Sequence, residues 1–257
     1  PGLPRSEASA AAGIAQHLGL PHQVVPQYAG DFAQLQHIAA SYTDPIADIS
    51  ILHTYHLAAH VAQQRKGVLS GDGADESLLG YGWHHQLPRS LRAPWYQRGQ
   101  RARPDEVVKW YAQATSMGRF GRAEHLALFQ PQHHATLPSD PDWFPRSLVR
   151  SDLEPVRALQ WLDLHAFMPE LILVKVDRAS MAHGLEVRMP FLYRPLMAHI
   201  LAQPTEALYA PGQQKPLLKQ AMADALPPEV FARPKQGFVG PDQYYQQFGL
   251  YRDLLQP

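Results

Sequence analysis

Apolar positions in the first third of the chain follow two alternating rhythms. Ala8, Ala11, Ala12, Ala15 and Leu18 recur at helical spacing across Glu7 to Leu18, and Gly19 supplies a stop. His22 to Val25 reads as a short strand ended by Pro26. Phe32, Leu35, Ile38 and Ala39 predict a second helix, broken at Asp44-Pro45. Ile49 to Gln63 predicts a third, with Leu52, Tyr55, Ala59 and Ala62 as its apolar stripe. Gly67-Val68-Leu69 then reads as the end of a buried strand. Helices alternating with short apolar strands predict an α/β fold on a parallel sheet, in which ligands bind beyond the carboxyl ends of the strands.

The rest of the chain has a different texture. Residues 86–104 are rich in Arg and Pro, and residues 131–146 in Pro and Asp; both read as surface excursions flanking a helix from Glu106 to Met117. From Glu154 onward the pattern is helical. The stretch Glu170 to Ala182 is apolar on several faces, which predicts a buried helix whose Lys175, Asp177 and Arg178 need partners. Glu186 and Arg188 are the nearest candidates, either in a structural ion network or beside a substrate. The expected organisation is an α/β part over 1–85, a variable region over 86–150 and a helical part over 151–257.

Candidate chemistry concentrates in the loop after Leu69. Ser70-Gly71-Asp72-Gly73-Ala74-Asp75-Glu76 carries three carboxylates within five residues. Gly71 and Gly73 let the backbone turn sharply and approach a ligand, and Ala74 to Leu79 resumes a helical pattern. A helix N-terminus favours anions, yet phosphate against three carboxylates is repulsive unless Mg²⁺ lies between them. The alternative is a capped turn with solvated acids. Far downstream, Pro234 stiffens and Gly237 loosens the loop Arg233-Pro234-Lys235-Gln236-Gly237-Phe238, which presents Lys235.

Composition removes several rivals. Lys+Arg and Asp+Glu both number 23, so no net field draws in nucleic acid or an anionic membrane. The absence of cysteine excludes disulfides, thiolate metal sites and a cysteine nucleophile, and is compatible with a cytoplasmic setting. No apolar run approaches the roughly 20 residues that span a bilayer. No Gly-x-x-x-x-Gly-Lys-Ser/Thr loop, calcium hand or His-Glu-x-x-His helix occurs. Among the 14 histidines, His84-His85 and His133-His134 are adjacent pairs unsuited to one metal, and His53 and His56 read as packed or surface residues.

The acidic loop resembles the Ser-Gly-Asp/Glu-Gly-Ser/Ala-Asp-Glu hallmark of the synthetase domain of the asparagine synthetase family, glutamine-dependent amidotransferases of the ATP-pyrophosphatase group. Other segments match in order: Asp44-Pro45 with Asp48 and Ser50, Leu173 to Ala182, Gly184 to Leu192, Lys215 to Lys219, and Arg233 to Phe238. The resemblance implies an adenine-nucleotide alpha-hydrolase-like fold. Its first strand, with a Ser-Gly-Gly-x-Asp-Ser loop, is expected upstream of residue 1, so the parallel sheet is expected to be truncated and followed by a largely helical half. Two departures stand out: Ser77-Leu78-Leu79 replaces the usual Leu-Phe-Gly, and Tyr193 replaces the Asp that closes Pro-Phe-Leu-Asp.

By the same resemblance, ATP and Mg²⁺ are the expected cofactors. Ser70 and Gly71 would contact ATP, Asp72 would serve acyl-adenylate formation or deprotonate the amine, and Asp75 would ligate Mg²⁺. Lys235 would stabilise phosphate charge, and Lys215 and Lys219 would border the phosphate or lie on the surface. The implied reaction is ATP-dependent amide formation, in the family from aspartate and glutamine-derived ammonia. The glutaminase would lie elsewhere on the full-length protein or on a partner, and a homodimer is allowed. The other readings are a synthetase-like fragment that only binds or scaffolds, and a relative acting on a glycan or peptide carboxylate.

Overall fold

The computed structural model describes residues 7–25, 32–42, 48, 50–90, 101, 103–115, 120–210 and 212–233. In chain order the first elements are α1 (Glu7–His17), α2 (Phe32–Ala39), α3 (Ser50–Ala62), β1 (Gly67–Leu69), α4 (Ala74–Ser77), α5 (Gly82–Ser90) and α6 (Pro104–Thr115). They are followed by α7 (Arg122–Leu128), α8 (Trp143–Leu148), α9 (Pro155–Leu162), a π-helical run Asp163–Leu173 and α10 (Val174–Met181). Last come β2 (Glu186–Arg188), α11 (Arg194–Leu201), α12 (Thr205–Leu208), α13 (Pro216–Ala221) and α14 (Pro228–Ala232). The fold is α/β with a small parallel sheet and a predominance of helix. No described helix is long and apolar enough to cross a membrane. The described residues divide into two compact units, one drawn from those within 7–70, 173–190 and 218–233, the other from those within 71–172 and 191–217.

In the first unit, β1 and β2 pair in parallel with Gly67 opposite Glu186 and Leu69 opposite Arg188. The Ser70 N–H extends the ladder by donating to the Arg188 carbonyl at 2.9 Å. The strand is less covered than its apolar run predicts: Leu69 is 75% exposed. Residues 22–25, expected as a strand, form no sheet, and Val24 is exposed. Without ladder partners, a short apolar run has no means of satisfying its backbone as a strand.

The core of this unit is Ile38, Ile51, Leu52, Tyr55 and Ala179, from α2, α3 and α10. α10 departs from the expected buried helix. Lys175, Val176, Ala179 and Ser180 are covered, whereas Asp177 and Arg178 are exposed and need no buried partner. Glu186 and Arg188 pair with each other at 2.8 Å on the exposed side of β2. Lys175 instead reaches Asp48 at 2.9 Å and Ser50 Oγ at 2.8 Å, across 127 residues of sequence from Asp48. Burial raises the Asp48 carboxyl, but the Lys175 ammonium and hydrogen bonds from Ser50 outweigh it, holding it below the ordinary carboxylate range.

The second unit has its core in Val107, Tyr111, Ala158, Leu159, Leu162 and Ala166, with Phe144 and Leu148 packed against it. Phe144 thus anchors part of the 131–146 stretch that reads as a surface excursion. The π-helical run contains Pro169, which lacks the N–H needed for a regular helical bond. Its first residue, Asp163, is fully buried and accepts from His84 Nε2 at 2.7 Å.

The lowered Asp48 carboxyl contributes stability above its unfolded value near ~4, and that contribution is lost as pH falls through its folded value. Asp48→Asn strands the Lys175 ammonium. The side chain of Asp48 is 21% exposed, so the cost at neutral pH is roughly 2 kcal/mol, below that of a fully buried pair. The gap from wild type should close in acid, as measured by urea midpoints from pH 7 to pH 3.

Candidate active site

The acidic loop follows directly from β1. Ser70 is fixed through its backbone to β2, Gly71 is exposed and Asp72 is half-buried. Gly73 adopts φ 89°, a left-handed conformation that disfavours any side chain. A Cβ there would also lie 2.3 Å from Leu192 Cδ2. Gly73 therefore turns the chain and packs bare against the Phe191-Leu192 turn. The helix that follows, α4, is a single turn with no side-chain cap, too short to offer the anion-binding dipole expected of a longer helix.

The three acids of the loop have different surroundings. Glu76 is 2% exposed and accepts from the Tyr81 hydroxyl at 2.6 Å. Burial dominates and raises its carboxyl above the usual range, despite that hydrogen bond. Asp75 pairs through Oδ1 with Lys215 Nζ at 3.0 Å, 140 residues away in sequence. Asp72 lies between the two glycines. A capped turn with uniformly solvated acids does not describe this loop.

A polar network supports α4 from below. Tyr81 stacks on Trp83 with ring centroids 4.0 Å apart. Trp83 Nε1 donates to Asp163 at 3.2 Å, and the Tyr81 N–H donates to His84 Nδ1 at 3.3 Å. That N–H occupies the Nδ1 lone pair, so His84 carries its proton on Nε2 and donates it to Asp163. Gln160 donates to the Ser77 carbonyl. None of these longer-range partners has a sequence signal, because each contact joins residues brought together by packing.

Backbone strain gathers at the same place. Among the described residues, the two non-glycine residues with positive φ are Leu79 at 56° and Lys215 at 50°. Gly80 follows Leu79, and a Cβ on Gly80 would lie 2.0 Å from Asp75 Oδ1 and 3.0 Å from Lys215 Cδ. Only a bare α-carbon admits the ion pair.

Among the described residues, no group of three or more His, Cys, Asp or Glu side chains could hold a metal. Mg²⁺ commonly takes one or two carboxylates and completes its shell with water and substrate phosphates. Asp75, one-quarter exposed, is a hard oxygen donor suited to that mode, so the residues present fit a cation completed by a nucleotide. Lys235 and Asp44-Pro45 lie outside the described residues.

The asparagine synthase family model matches residues 3–257, nearly the whole chain. The chain belongs to the asparagine synthase family. A putative glutamine-hydrolysing asparagine synthetase from Mycobacterium tuberculosis is 28% identical over 267 aligned residues, covering 95% of this chain and 40% of that protein. Asparagine synthetase 1 of Bacillus subtilis is 26% identical over 234 residues, covering 82% of the chain and 36% of the relative. The Gallus gallus asparagine synthetase is 42% identical over 69 residues, covering 25% of the chain and 12% of that protein. The chain thus spans about two-fifths of the length of its mycobacterial relative.

Both departures from the asparagine synthetase pattern have structural consequences. Leu79 stands at the glycine of Leu-Phe-Gly, in the left-handed conformation that glycine adopts most readily, and its side chain is fully buried. Tyr193 stands at the N-cap of α11, 66% exposed and making no side-chain cap bond.

Two measurements check this geometry. The raised Glu76 carboxyl favours the fold below its unfolded value near ~4.3, and that benefit disappears as pH rises through its folded value. Glu76→Gln keeps an acceptor for Tyr81, so the variant should gain stability relative to wild type between pH 5 and pH 8 in urea titrations. Tyr193→Asp should stabilise the protein by about 1 kcal/mol through a restored N-cap, visible as a raised thermal midpoint.

Proposed function

We propose that this chain is the nucleotide-handling part of a ligase that forms amides from a carboxylate, with ATP and Mg²⁺. The observation that carries the reading is the Ser70 to Glu76 loop, a glycine-turned acidic segment leaving the carboxyl end of a parallel strand in a chain of the asparagine synthase family. The substrate carboxylate attacks the α-phosphorus of ATP, giving an acyl-adenylate and pyrophosphate. Ammonia then attacks the acyl carbon, AMP leaves, and the ammonium proton is lost to a base. Asp75 would hold the metal, which when bound would supply positive charge against the phosphates.

In this reading Ser70 and Gly71 bind ATP, the former through its hydroxyl and the latter through its backbone. Asp72 assists formation of the acyl-adenylate or takes the proton of the incoming amine. Asp75 ligates Mg²⁺. Lys235 stabilises charge as it grows on the phosphate, an effect on the order of 3 kcal/mol for a fixed donor at such a position. Aspartate is the proposed carboxylate and glutamine-derived ammonia the proposed nitrogen donor, following the names carried by the relatives. Glutamine hydrolysis falls to a separate domain or partner, since the chain has no cysteine.

Asp72→Asn and Lys235→Ala in the intact enzyme should each lower ATP–pyrophosphate exchange at least about a hundredfold, with unfolding midpoints little changed. Wild-type exchange in either variant would contradict its assigned role. Absence of MgATP binding in calorimetry would favour a scaffold over an enzyme.

A further inference from the structure

Three independent features converge on the Asp75–Lys215 contact. The ammonium lies 3.0 Å from Asp75 Oδ1, with both side chains 25% exposed. Lys215 and Leu79, the described non-glycine residues in left-handed backbone, carry strain on the two segments that meet there. Gly80 leaves room for carboxylate and lysine stem where any Cβ would collide. A partly exposed ion pair is a weak stabiliser, and so much local strain is poorly explained by its net contribution to folding.

We propose that Lys215 is a positioning residue that occupies the cation side of Asp75 until a divalent metal replaces it. The inference rests on the reading that Asp75 is a metal ligand. A single positive charge, on a residue whose backbone gains by relaxing from φ 50°, is an exchangeable counterion. It keeps the carboxylate in its rotamer against Gly80 and neutralised while no metal is bound. Release of Asp75 frees the 212–215 turn, which includes Gly212 at φ 76°. Metal binding is thereby coupled to movement of this turn.

The probe is Mn²⁺, titrated without nucleotide and followed by electron paramagnetic resonance. Lys215→Met, which keeps the stem and removes the charge, should bind Mn²⁺ about tenfold tighter than wild type, the scale of one lost ion pair. Lys215→Arg, which restores a cation, should return the affinity to near the wild-type value. Should Lys215→Met bind no tighter while Asp75→Asn loses Mn²⁺, the counterion role is overturned and the metal-ligand reading survives. Undiminished Mn²⁺ binding by Asp75→Asn would overturn both. In wild-type protein, amide hydrogen exchange across residues 212–217 should quicken on Mn²⁺ saturation; unchanged exchange contradicts the coupling.

Discussion

The Asp75 carboxylate lies where charge, space and backbone conformation constrain one another. Its position requires a bare α-carbon at Gly80, a left-handed residue immediately before that glycine, and a cation delivered from a strained turn 140 residues later. Gly73, also left-handed, sets the direction of α4 and so the side on which Asp75 emerges. Glu76, next in sequence, is buried and accepts from the Tyr81 hydroxyl. Adjacent positions on one turn of helix thus carry a partly exposed, ion-paired acid and a buried, hydrogen-bonded one. That division follows from α-helical geometry, in which neighbouring residues project about 100° apart.

The support beneath α4 is polar and built around the fully buried pair His84 and Asp163. Asp163 collects donors from His84 and Trp83, and Tyr81 links this cluster to Glu76 through its own hydroxyl and backbone. Such a network is costly if any member is lost, because a buried polar group without a partner forfeits its hydration. It therefore fixes the loop more narrowly than apolar packing alone would. In the first unit, Lys175, Asp48 and Ser50 form a second, partly buried polar set between α10 and the start of α3.

What the sequence revealed divides by range of interaction. Local features were legible: the helices at Glu7, Phe32 and Ser50 announce themselves through spacing, and the glycines of the acidic loop through the turn they permit. The ordered motifs made the family legible. Contacts set by tertiary packing were not. Sequence proximity offered Glu186 as a partner for Lys175, whereas the fold supplies Asp48. Lys215 reads equally as a phosphate neighbour or a surface residue until the structure brings it to Asp75. The two departures from the family pattern carry meaning only in three dimensions, as a left-handed leucine and an uncapped helix start.

On the function proposed above, Asp75 would hold a divalent cation that offsets the charge of nucleotide phosphates. A crystal structure with Mg²⁺ and a non-hydrolysable ATP analogue tests it most directly. The account predicts a carboxylate oxygen of Asp75 about 2.1 Å from the metal, with the Lys215 ammonium withdrawn from that oxygen. A metal–nucleotide complex bound away from Asp75, with the 3.0 Å ion pair intact, would contradict it.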